Sequence, residues 1–394
     1  MRAAFASARA RYASRLEVLA APEPILEAVR AAVTAWGLEE VPWRRTYGRF
    51  EPGRAPFARL VLETTEGPQR ILRVDAFEDG PSAVAGEIVV ATEAIGWLRL
   101  TRFPSDPALA TLPGLVASLR EFRVVRFRPG SRCTMRVAGN RGARFVKVFP
   151  DGRGAALHEN AVELHRAADR GELGFGVAAP LNFDPAARAL WQQALAGESV
   201  ESRLFGAAGV PLATRMGRAA ATLTRSSLRP AALAGPENQL ARARKYRERI
   251  GRIAPALGPA AEKVVAQLAA LHGAAPARAP RPIHGSPRPR QWLVDGERLA
   301  LVDFDRFAWG DPELDVSSFV VAAENERAHD VAAAFVQAYA VEAGTLRPSL
   351  LTAYLAQRRL GEAEKAVRAL GPDGDLRAER KLEHALRCLT EAPA

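Results

Sequence analysis

The stretch PIHGSPRPRQWLVDGERLALVDFDRFAWGDPELD, Pro282 to Asp315, constrains this chain more than any other. It opens on a loop, His284-Gly285-Ser286, which a short Pro- and Arg-rich passage separates from Gln291. The run RLALVD reads as a strand that delivers Asp303 at its end, with Asp305 two residues on. GDPELD then starts a helix. A fold holding this stretch sets two carboxylates at a strand end beside a loop. Such an arrangement suits charged chemistry and calls for mixed α and β structure.

The length of 394 residues, 48% hydrophobic and 25% charged, is that of globular protein with room for two or three domains. No apolar run reaches the roughly 18 residues of a membrane span. The N-terminal MRAAFASARARYASRLEVLAAPEP lacks a continuous apolar segment and reads as an amphipathic helix, not a signal peptide. Cys133 and Cys388 lie too far apart in sequence to suggest a disulfide framework or metal-ligand spacing, so a cytoplasmic home is expected. The net charge is +11, and only five of the 55 basic residues are lysine. The arginines are scattered, with no dense basic block. That ranks a nucleic-acid surface below a site for anionic ligands such as nucleotide phosphates.

Residues 1–40 read as helices, with apolar spacing along PEPILEAVRAAVTAWG and a stop at Gly37. Strand-like RTYGRFEPG and FARLVLETTEGPQRILRVDAF come next. Residues Ser82–Ala94 read as a helix, before a Pro-punctuated passage to about Leu119. A second strand set, FRVVRFRPGSRCTMRVAGNRGARFVKVF, precedes a largely helical remainder. GAAPARAPRP (273–282) is a loop, and the tail from Arg347 to Leu389 is an amphipathic helical segment. The two strand sets resemble each other. Arg49-Phe50-Glu51-Pro52-Gly53 matches Arg126-Phe127-Arg128-Pro129-Gly130, and Ile71-Leu72-Arg73-Val74 matches Phe145-Val146-Lys147-Val148. This reads as a degenerate internal repeat in which Arg73 stands where the second copy has Lys147. Three domains are expected. Residues 119–195 form a β-rich lobe, residues 1–118 a partial copy of that lobe, and residues 196–394 a helical lobe.

Phosphoryl transfer from ATP needs a strand lysine on the phosphates, a helical Glu beside it, a turn with free backbone N–H groups, and side chains for Mg²⁺. Lys147 lies on an alternating strand in a chain that otherwise uses arginine, and a lysine suits a point-charge phosphate contact. Glu159 and Glu163, on one face of the next helix, are both within reach of it, with Glu163 favoured by spacing. Gly130, in the turn RPGSR, permits close approach of backbone to phosphate. The strand LWQQAL, followed by Gly197, reads as a hinge whose backbone at Gln193–Leu195 would meet adenine.

These parts, in this order, resemble the aminoglycoside phosphotransferase/choline kinase superfamily of protein-kinase-like enzymes. The resemblance rests on His284, Gly285, Leu293, Val294, Asp303, Phe304, Asp305, Gly310, Asp311, Pro312 and Asp315, and it covers about residues 120–390. It implies a bilobal α+β protein-kinase-like fold with a small β-rich lobe, a larger helical lobe and an N-terminal domain partly repeating the small lobe. It implies ATP and Mg²⁺ as cofactors, Asp303 and Gln291 as metal ligands, and a small-molecule acceptor hydroxyl. Gln291 stands where the family has Asn, and Ser286 where it has its catalytic Asp. A neutral serine cannot take the acceptor's proton near pH 7, so Asp305 is a substitute for orienting the attacking group, and His284 supports the loop. Arg288 and Arg290 come after Ser286, suited to phosphate and repellent to cationic acceptors. Two functions are compatible with this pattern: an ATP-dependent phosphotransferase, slow or unusual for want of the carboxylate, or a pseudokinase acting as a nucleotide- or partner-binding regulator. An Arg-rich nucleic-acid binder ranks below both.

Overall fold

The computed structural model describes residues 8–37, 42–82, 84–140 and 142–390. Two five-stranded antiparallel sheets fill its first half. One contains β1 (Trp43–Phe50), β2 (Ala58–Thr64), β3 (Ile71–Phe77), β4 (Glu87–Thr92) and β5 (Gly96–Arg102), in the order β1-β2-β3-β5-β4. The other contains β6 (Phe122–Arg128), β7 (Arg132–Val137), β8 (Arg144–Val148), β9 (Pro180–Asp184) and β10 (Ala189–Gln193), in the order β6-β7-β8-β10-β9. Strand order and sense are the same in both. Each first strand slips register once against its partner, between Arg45 and Tyr47 in β1 and between Val124 and Arg126 in β6. The second sheet differs by the helix Gly154–Asp169 inserted between β8 and β9.

The helix expected over Ser82–Ala94 is not there; its second half is strand β4. Ile88, Val89 and Val90 are β-branched and pair with Leu100, Arg99 and Leu98 of β5. Gly96, at φ 104°, turns the chain between the two strands, and a Cβ there would lie 2.8 Å from the Phe77 carbonyl oxygen. Ile88 to Ala91 are a continuous apolar run that shows no strand alternation in the sequence.

Alternation along the strands assigns the faces of the first sheet. Leu60, Leu62, Leu72, Val74, Leu98 and Leu100 join Tyr12, Leu16, Leu19 and Ile25 of the N-terminal helices in one core, which continues into the helices Pro348–Val367 and Gly374–Thr390. Each such side chain stabilises the fold by about 1.5–3 kcal/mol on burial. On the opposite face Val61 and Ile71 pack with Val124, Met135, Val146 and Val148 of the second sheet. The same face carries a charged cluster. Asp75 is fully buried and meets Arg59 at 2.5 Å, Arg73 at 2.5 Å and Arg99 at 3.3 Å. Burial opposes its charge, yet hydrogen bonds and attraction from Arg73 and Arg59 hold its carboxyl below the ordinary range.

The first sheet touches both remaining parts of the chain. Gln69 donates to the Val124 carbonyl at 2.8 Å and accepts the Val124 N–H at 2.7 Å. On the other side the Phe50 N–H meets the Arg368 carbonyl at 2.8 Å, and Arg9 donates to the Val367 and Ala369 carbonyls, each at 2.9 Å. The helical lobe has its own core, centred on Phe319 and Phe335, whose rings stack at 3.8 Å. No helix among the described residues is long and apolar enough to cross a membrane.

Candidate active site

The loop after the short strand Arg281–Ile283 is fixed from beneath. Asp315, in the first turn of helix Pro312–Asn325, accepts the His284 N–H and the Gly285 N–H, both at 2.7 Å. Burial pushes the Asp315 carboxyl up to about 7, against the pull of those two N–H groups. Arg358 donates to the Gly285 and Leu314 carbonyls at 3.1 Å each. Gly285 adopts φ 83°, and a Cβ there would fall 2.6 Å from the Arg306 carbonyl oxygen, so only glycine fits. His284 is buried, and burial pushes its imidazole down to about 4. Its Nε2 lies 3.1 Å from the Val302 carbonyl oxygen, just past the end of the strand before Asp303, and its Nδ1 3.3 Å from the Ser286 backbone nitrogen in the loop. Both ring nitrogens of His284 are thus taken up by backbone groups.

Asp303 sits at the end of the hairpin Trp292–Asp295/Arg298–Leu301, beyond its last paired residue, with φ 71°. A non-glycine residue in that region is strained, and such strain persists where surrounding contacts over-determine it. Phe304 provides one such contact, its ring 4.5 Å from His284 and stacked at 6.2 Å on Phe175. Asp303 and Asp305 consequently both face Lys147, whose Nζ lies 2.8 Å from Asp303 and 2.6 Å from Asp305. Lys147 projects from β8 between the inward-facing Val146 and Val148. Arg132, from the start of β7, pairs closely with Asp305 and stands 3.7 Å from Asp303. Burial works against the Lys147 ammonium, but Asp305 and Asp303 outweigh it and raise its pKa. Burial likewise opposes the Asp303 carboxylate, and Lys147 and Arg132 hold it well below the usual range.

Glu159 and Glu163 do not reach Lys147. Glu163 is exposed and pairs with Arg166 at 3.0 Å, and Glu159 is exposed as well. Two aspartates already neutralise the buried ammonium, so no charge draws the helix glutamates inward. Sequence spacing could not reveal this, because it does not show that Asp303 and Asp305 converge on one lysine. Gly130, at φ 73°, makes the expected turn, but its N–H is given to Asp106 at 2.7 Å. In the hinge, Gln193 and Ala194 donate to the Ala179 and Ala143 carbonyls, at 2.9 and 3.0 Å. The Leu195 N–H has no backbone acceptor among the described residues.

Gln291 links the loop to the carboxylates. Its Oε1 accepts the Arg288 N–H at 2.9 Å, and its Nε2 faces Asp303 Oδ2 at 3.3 Å. Ser286 is 8% exposed, and its carbonyl accepts the Arg288 N–H at 2.9 Å. No cluster of three or more His, Cys, Asp or Glu side chains among the described residues could hold a metal on its own. Two carboxylates with an amide beside them nevertheless match the way Mg²⁺ is held, through one or two carboxylates with the remaining positions filled by phosphates and water. The residue that pattern reading missed is Arg132. Its only signal was its place as the last residue of the turn RPGSR.

The sequence profile of the phosphotransferase enzyme family, APH, matches residues 123–351, more than half of the chain. The chain belongs to this family. Among solved structures, choline kinase LicA from Streptococcus pneumoniae is similar at 14% identity and a TM-score of 0.53, over 70% of this chain and 95% of that one. A Ralstonia eutropha protein classed with the aminoglycoside phosphotransferases is similar at 14% identity and a TM-score of 0.52, over 72% and 99%. No curated protein matches the sequence. At these identities the likeness is one of fold: a β-sheet lobe joined to a helical lobe, as in protein-kinase-like phosphotransferases. The match begins within β6, so the first five-stranded sheet stands outside the family's profile.

Proposed function

We propose that this phosphotransferase-family protein binds Mg·ATP and transfers the γ-phosphate to the hydroxyl of a small molecule. The observation that carries this reading is the convergence of Lys147, Asp303 and Asp305 beside a loop locked by Asp315. Lys147 would meet the phosphates. Asp303, with Asp305 and the Gln291 amide, would hold Mg²⁺, which when bound neutralises charge on the transferring phosphoryl group. The Leu195 backbone is the hinge group free to meet adenine. The acceptor oxygen bonds to the γ-phosphorus as the β–γ bridging bond breaks, and ADP leaves. The acceptor's proton passes late to an oxygen of the transferred group, since Ser286 cannot take it. A loose transition state asks little of a base, so positioning and electrostatics carry most of the acceleration.

Ser286 also favours a second reading, a pseudokinase that binds nucleotide without transfer and acts as a regulator. ADP release from Mg·ATP with a panel of small alcohols separates the two. Release that depends on an alcohol and vanishes in Asp303→Ala supports transfer, while nucleotide binding with no release in any arm supports the second reading. In both, residues 1–118 are a degenerate copy of the small lobe: the strand order repeats, and Arg73, buried against Asp75, takes the strand position of Lys147.

A further inference from the structure

A cavity of about 530 Å³ opens beside Asp305, lined by Arg128, Arg132, Arg153, Arg242 and Arg306. Its lining includes neither Lys147 nor the hinge residues 193–195, so it lies away from the adenine end. Arg132 and Asp305 connect it to the carboxylates that face Lys147. Among the described residues, Arg128, Arg242 and Arg306 have no carboxylate partner, and neither has Arg288 in the loop after Ser286. Burial is the main cause of lowered basicity in this region, and neighbouring guanidiniums add to it. Burial, with Arg126 and Arg132 adding to it, brings Arg128 down to about 10. Burial, with Arg288 and Arg306 adding to it, brings Arg358 down to about 9. Arg306 also faces Arg242 and Arg288, so cavity and loop form one basic surface. Arg128 and Arg132 belong to the turn over the nucleotide phosphates, but a nucleotide held by Lys147 and Mg²⁺ leaves Arg242, Arg306 and Arg288 uncompensated. Guanidinium forks match phosphate oxygens in pairs, and a wall of them repels cations.

We propose that the acceptor is a phosphorylated small alcohol, its phosphate clamped by the arginines around this cavity and beside Ser286. The proposal rests on the transferase reading above and accounts for Ser286 as well. A carboxylate at that position would repel such an acceptor, whereas an arginine clamp positions the hydroxyl without one.

Titration calorimetry on the full chain, saturated with Mg²⁺ and a non-hydrolysable ATP analogue, tests it. The probes are glycerol 3-phosphate, ribose 5-phosphate and glucose 6-phosphate, against glycerol, ribose, glucose, kanamycin and choline. At least one phosphate ester should bind at least about tenfold more tightly than its parent alcohol and than either cation. Arg306→Gln and Arg242→Gln, on separate elements, should each remove about tenfold of that affinity while leaving Tm unchanged. Kanamycin or choline binding as well as the esters would overturn the proposal. So would an absence of ester binding, or esters that bind only without the nucleotide analogue, since the arginines would then belong to the nucleotide. The readout needs no turnover: ester binding without ADP release keeps the anion site and removes the transferase reading.

Discussion

Asp315 and Gly285 are joined by a 2.7 Å hydrogen bond that places a helix carboxylate beneath the tightest turn of the site. Its other oxygen takes the His284 N–H at the same distance. Removing the carboxylate strands two buried backbone donors, each costing about 1–3 kcal/mol. Asp315→Ala should therefore lose roughly 2–6 kcal/mol of stability in denaturant unfolding. Asp315→Asn keeps one acceptor and should lose about half as much. Equal losses in the two variants would mean that the carboxylate is not what holds the loop.

Lys147 and Asp303 make a second, separable prediction. Lys147→Ala and Asp303→Ala should each weaken Mg·ATP binding by at least about tenfold, or about 1.4 kcal/mol. Glu163→Ala should change it little, because Glu163 is exposed and turned toward Arg166. A tenfold loss in Glu163→Ala would mean that the helix swings inward when nucleotide binds. No affinity of the wild type at millimolar Mg·ATP would remove the nucleotide site altogether.

The legible part of this site was what local spacing encodes. The stretch 282–315 carries its loop, its strand-end aspartates and its anchoring helix within one continuous run, so sequence distance and spatial distance agree. Lys147 was legible because a lone lysine on an alternating strand in an arginine-rich chain stands out. What stayed hidden depends on contacts between distant segments. Arg132 meets Asp305 across the two lobes, and Asp106 takes the Gly130 N–H from the linker before the second sheet. Strand β4 carries a continuous apolar run with no alternation to mark it as a strand, and pairing with β5 decides its form.

Asp75 predicts how the first sheet responds to acid. Its folded pKa lies below the ordinary carboxylate value of about 3.9. The stability it contributes is therefore full above that value and is lost as pH falls through the lower, folded pKa. Asp75→Asn should lose about 1–3 kcal/mol at pH 7, since it removes the carboxylate that Arg59, Arg73 and Arg99 share and leaves Arg73 with Asp106 at 3.8 Å and Arg99 with Glu87 at 3.6 Å. The variant should also unfold with a shallower dependence on pH below about 4 than the wild type. Parallel acid profiles for the two proteins would show that another carboxylate governs the transition.

Ser286→Asp tests what the missing carboxylate means. If its absence alone slows the site, restoring it should raise transfer by roughly 10²–10⁴-fold, the usual worth of a general base. The surroundings argue for a different outcome. Arg288 comes two residues later, its N–H bonded to the Ser286 carbonyl at 2.9 Å, and Arg290 lies just beyond. A carboxylate placed among these guanidiniums would pair with them and be drawn away from the acceptor hydroxyl. It would also neutralise part of the surface proposed to hold the acceptor's phosphate. The expected result is no gain in kcat and a rise in KM for the phosphorylated acceptor. The comparison needs wild type, Ser286→Asp, and Ser286→Asp combined with Asp303→Ala. A gain of a hundredfold or more, lost again in the double variant, would show that this loop still has the geometry of a base-assisted phosphotransferase. Wild-type turnover abolished by Asp303→Ala, with no such gain, would show that serine belongs to a working site.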